Sequence, residues 1–140
     1  MSTQQNKHIV RRMNTEFIQG HKLEVADEIL DDTFINHTSP PGLSQGKDGV
    51  RAFFEMMWKA FPDMTVEIFD QVAEGDLVTT RKAFHGTHTG DFMGIPPTHK
   101  RVRIDVIDII RLQDGRFVEH WGIVDQMGLM GQLEAIPQSP

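Results

Sequence analysis

The chain has 140 residues, of which 39% are hydrophobic and 24% charged, and its net charge is −6. This is ordinary composition for one globular domain able to bury a core, and we read 1–140 as a single domain with 1–6 as a flexible tail. No run approaches the roughly 18 consecutive apolar residues of a membrane span, and the scattered Lys and Arg lack the basic footprint of a nucleic-acid binder. The chain contains no Cys, which excludes disulfides, thiolate metal sites and a Cys nucleophile. With a polar Met1–Lys7 in place of an apolar signal core, these features point to the cytoplasm.

In chain order, Ile9, Val10, Met13 and Phe17 recur at helical spacing, with Gly20 as a stop. Val25, Ala26, Ile29 and Leu30 suggest a second, short helix. The third is the clearest: Val50, Phe53, Phe54, Met57, Trp58 and Phe61 make one apolar stripe, which Pro62 ends. From Met64 to Ala73 apolar and polar residues alternate, and Glu74-Gly75-Asp76 is turn chemistry. Leu77–Phe84 reads as a second strand, followed by a Gly- and Pro-rich loop over Gly86–His99. Arg101–Gln113 and Arg116–Asp125 form a hairpin about Asp114-Gly115, and Met127, Met130 and Leu133 suggest a final helical turn. Helices followed by a meander predict an α+β fold: a curved, mainly antiparallel sheet wrapped into a cone, with three N-terminal helices on its concave face. Such a cone leaves an apolar pocket with a few convergent polar groups.

Asp108 is the candidate that stands out. Alternation places it on one face with Val102, Ile104, Val106, Ile110 and Leu112, while Arg103, Asp105 and Arg111 take the other. A carboxyl facing an apolar cavity is expected to have its pKa raised, which suits proton transfer near neutral pH. His120 is its natural partner, subject to hairpin register. A two-residue turn at Asp114-Gly115 would pair Asp108 with Trp121 and turn His120 away; a three-residue loop with a glycine bulge would pair Asp108 with Gly122 and bring His120 alongside. Asn36, Arg81, His88, Phe17, Trp58 and Asp125 are candidates for contact with substrate. His85 and His88, three apart on a strand, point to opposite faces, so no metal site is expected. Without a G-x-G-x-x-G, Walker, G-x-S-x-G or H-E-x-x-H motif, no cofactor is expected either.

The loop Gly86–Thr98, the hairpin Asp108–Trp121, the tail Asp125–Leu133 and Val10–Met13 together resemble the SnoaL-like polyketide cyclases, in the same order and over nearly the whole chain. The resemblance implies the nuclear-transport-factor-two-like α+β cone, or barrel, commonly a homodimer through the open face of the sheet. It also implies cofactor-free intramolecular aldol closure of a polyketide methyl ester by an acid/base carboxylate. The family's essential acid falls on Gly122 and its auxiliary histidine on Asp108, so the acid has either moved to Asp108, with His120 as partner, or been lost. The first reading makes the protein an enzyme acting on a small apolar molecule, with Asp108 as general base. The second makes it a non-catalytic protein binding such a molecule in the same pocket.

Overall fold

The computed structural model describes residues 1–134. Helix α1 spans Thr3–Arg12 and starts in a capping box, in which Ser2 and Gln5 satisfy one another's backbone amides. The first six residues therefore do not form a tail: Thr3–Asn6 are helical and Asn6 is buried. From Met13 to Gln19 the helix widens into a π-helical segment. There side chains reach back to carbonyls of the preceding turn: Asn14 Nδ2 donates to the Val10 carbonyl at 2.9 Å and Thr15 Oγ1 to that of Arg11 at 3.0 Å. Helices α2 (Leu23–Ile29) and α3 (Lys47–Ala60) flank strand β1 (Leu30–Asn36). Strands β2 (Thr65–Glu74), β3 (Leu77–Thr87), β4 (Arg101–Gln113) and β5 (Arg116–Val124) form the meander, and α4 (Gln126–Gln132) follows.

The sheet order is β1-β5-β4-β3-β2. All pairings are antiparallel except β1 with β5, which is parallel. β1 was not evident in the sequence, where Phe34-Ile35 is only a short apolar pair. Its addition makes the sheet mixed, and β1 and β2 remain as edges, so the cone does not close into a barrel. Among the described residues no helix is long and apolar enough to cross a membrane.

The β4–β5 hairpin combines features of both registers considered above. Asp114 and Gly115 have φ of 50° and 78°, and Gln113 pairs with Arg116, so the turn has two residues. Leu112 pairs with Phe117 but Arg111 with Glu119, which leaves Val118 as an extra residue within the strand. The bulge, and no longer loop, sets Asp108 opposite Gly122 and Ile110 opposite His120.

The concave face packs against α1, its π-helical continuation and α3. Phe17 is 0% exposed and meets Phe54 and Trp58 edge-on at 5.5 and 5.4 Å between ring centroids. Phe17→Ala should lower unfolding free energy by about 3–5 kcal/mol, the usual cost of emptying an aromatic site, as read by denaturant titration; ligand selectivity should not change.

Candidate functional site

Alternation along three strands brings the polar groups together. On β3, Val78, Thr80, Lys82 and Phe84 are buried on the concave side; on β4, Ile104, Val106, Asp108 and Ile110 are. On β5, His120 and Gly122 share that face through their pairing with Ile110 and Asp108. These residues, with Asn14 and Asn36, line a cavity of about 420 Å³ whose other walls are largely apolar, including Phe34, Phe53, Phe54 and Met57.

At its polar end Lys82 Nζ lies 3.0 Å from Asp108 Oδ2, with both side chains almost wholly buried. The same Nζ donates to Asn14 Oδ1 at 2.7 Å. His120 Nε2 approaches the same Asp108 oxygen at 3.6 Å, and its Nδ1 is 2.7 Å from Asn36 Oδ1. That Asn36 oxygen also accepts from the Thr38 backbone amide and hydroxyl, both at 3.1 Å. An oxygen already serving as acceptor requires a donor in Nδ1, so Nδ1 carries a proton and Nε2 is the nitrogen turned toward Asp108.

The direction of the Asp108 shift is opposite to the sequence expectation. Burial pushes the carboxyl upward, but the adjacent Lys82 charge, reinforced by His120, outweighs it and holds the group below the usual carboxylate range. Asp108 is therefore biased toward its anion, not toward the protonated acid. Gly122 explains how His120 reaches it: a Cβ there would stand 2.8 Å from His120 Cε1 and 3.1 Å from Nε2. The imidazole occupies the space that any side chain at 122 would need.

Of the other sequence candidates, Asn36 lines the cavity and five do not. Arg81 lies on the outer face, donating to Asp70 at 2.8 Å and stacking over Phe69; the inward residue is its neighbour Lys82. His88 is fully buried away from the cavity, where its Nδ1 accepts from the Thr98 amide at 3.2 Å and anchors the Gly86–His99 loop. Phe17 belongs to the core behind the cavity, and Trp58 packs on it while donating from Nε1 to the Ile18 carbonyl at 2.8 Å. Asp125 is an exposed cap on α4, accepting from the Gly128 amide at 2.9 Å. His85 pairs outward with Glu67, and no cluster of three or more potential metal ligands forms among the described residues. Lys82 and Asn14 were missed, although Lys82 sits in phase with Val78 and Phe84, and Asn14 lies one turn beyond Val10.

The sequence pattern of the SnoaL-like polyketide cyclases matches residues 8–133. An aklanonic acid methyl ester cyclase of Streptomyces peucetius, DnrD, is 26% identical over 139 residues, covering 95% of this chain and 92% of that protein. Among solved structures, TsrD of Streptomyces laurentii superposes with a TM-score of 0.87 at 26% identity, covering 97% of this chain and 99% of that one. IdmH of Streptomyces antibioticus superposes with a TM-score of 0.82 at 32% identity, over 92% of this chain and 98% of its own. A match running through the helices, the signature loop and the hairpin alike leaves one conclusion: this chain belongs to the SnoaL-like polyketide cyclase family.

Proposed function

We propose that the protein is a cofactor-independent enzyme that closes a ring in a small, uncharged ketide ester by intramolecular aldol addition. The reading is carried by a histidine whose Nε2 faces a carboxylate held below its usual range inside an apolar cavity. His120 Nε2 takes a proton from the carbon next to a carbonyl, and the C–H electrons become those of an enolate. The enolate carbon attacks a second carbonyl of the same molecule, forming the C–C bond, and the resulting alkoxide takes the proton back from His120. Asp108 stabilises the imidazolium while it exists, and Asn36 keeps the ring oriented through Nδ1. The apolar walls hold the chain folded near its attack geometry. Asp108 thus supports the base rather than serving as it.

Glycine at 122 was the ground for a non-catalytic reading. The ring of His120 in that same space supports replacement of the acid rather than its loss. With aklanonic acid methyl ester as first substrate, His120→Asn should lower kcat by about 10²–10⁴, the usual contribution of a positioned acid/base. Gly122→Ala, which collides with the imidazole, should lower it by at least about tenfold. Ring closure followed by chromatography checks both, and full activity in His120→Asn would exclude this base.

The Asp108 shift also predicts an acid dependence of stability. A folded-state pKa below the unfolded value means that the unfolded chain takes up the proton first. The contribution is then complete above the ordinary carboxylate range and drains away as pH falls toward the depressed value. Asp108→Asn, which leaves Lys82 unpaired, should cost about 3–5 kcal/mol at pH 7. In thermal melts its stability should fall less steeply than that of the unmodified protein below about pH 4.

We further propose that two copies pair through the outer sheet face. There Ile107 lies opposite Ile123, which is 74% exposed, and Ile109 opposite Trp121. Light scattering should give a dimer mass, and Ile107→Glu with Ile123→Glu should give a monomer.

A further inference from the structure

Lys82 carries a charge that the acid/base pair of His120 and Asp108 does not by itself require. A buried ion pair is often no more stabilising than apolar residues of similar volume, so stability alone does not give the reason for this one. Three features of Lys82 supply it. Its ammonium has three N–H donors, of which Asn14 Oδ1 at 2.7 Å and Asp108 Oδ2 at 3.0 Å take two. The residue lines the cavity. And it meets the very carboxylate oxygen that His120 Nε2 approaches, so base and cation stand side by side at one end of the pocket. Asn14, itself tied to the Val10 carbonyl through the π-helical segment, fixes the ammonium from the helical side. The polar groups touching Lys82 are thus Asn14 from the helix and Asp108 from β4, with His120 of β5 on the same Asp108 oxygen, while α3 turns Phe53, Phe54 and Met57 toward the cavity.

We propose that Lys82 is a further catalytic residue, whose ammonium receives the carbonyl oxygen that becomes negative as His120 removes the neighbouring proton. The inference rests on the acid/base reading above and adds the group that stabilises its enolate. A cation held in place before the reaction, in a site with apolar walls, stabilises developing charge without having to reorganise. As the C–H bond breaks, its electron pair forms the carbon–carbon double bond of the enolate and the carbonyl π pair moves to oxygen, against Lys82 Nζ. When the enolate attacks, that charge leaves Lys82 and appears on the new alkoxide, which His120 protonates.

The test is spectroscopic and needs no turnover. 4-Nitrophenol offers a small aromatic oxyanion whose neutral and ionised forms absorb at different wavelengths. With excess protein, the bound phenol should ionise at a pH at least one unit below the free phenol, a preference of about tenfold or more for the anion. His120→Asn should retain that preference, which separates Lys82 from an imidazolium. Lys82→Met combined with Asp108→Asn, a neutral pair chosen to keep the fold intact, should abolish it. An unshifted or upward-shifted phenol in the unmodified protein, or a preference that survives loss of Lys82, would overturn the assignment. Anion preference without ring closure of any ester would retain Lys82 as an oxyanion site and remove the proposed reaction; ring closure without anion preference would do the reverse.

Discussion

The contact between Lys82 and Asp108 organises the polar end of this molecule. Two nearly dry charges 3.0 Å apart can persist only if each is held in place by other groups. The support comes from separate parts of the fold. A widened helical turn delivers the Asn14 amide, the in-register β3–β4 ladder sets Lys82 beside Val106 and Thr80 beside Asp108, and β5 brings His120. Irregularity in the helix and regularity in the sheet meet at one amine.

That contact also determines what chemistry the pocket can run. A carboxyl alone in an apolar cavity would hold its proton; next to a fixed ammonium it gives the proton up. In the same way, the missing side chain at 122 acts as space rather than as a loss, since the ring of His120 fills it. A resemblance read position by position finds no side chain at 122, whereas the three-dimensional arrangement shows the His120 ring in that space.

Much of this was legible in the residues, and the parts that were not have identifiable causes. The stripe from Val50 to Phe61 announced α3, and Asp114-Gly115 announced the turn that both positive φ values bear out. Asp108 stood out because one acid interrupts an otherwise apolar strand face. The bulge at Val118 gave no sign, because valine is an ordinary strand residue and nothing local distinguishes it from its neighbours. The pKa direction was misjudged because desolvation was visible in the sequence and its counter-charge, 26 positions away, was not. Arg81 was singled out for its place in mid-strand and Lys82 was not considered, although the phase of Val78 and Phe84 selects the lysine. His88 showed the opposite ambiguity: complete burial of a histidine marks a structural anchor as readily as a site.

The parallel pairing of β1 with β5 carries a consequence for how the protein matures. Asn36 and His120, joined at 2.7 Å, are 84 positions apart, and their strands meet only when the N-terminal third of the chain docks beside the β4–β5 hairpin. Local contacts such as the β4–β5 turn form early and cheaply, whereas closure over such a span is slow. A chain with its meander complete but β1 undocked would have much of its sheet and a loose imidazole. The orientation of the His120 ring in this fold thus depends on a long-range contact that secondary structure alone does not make.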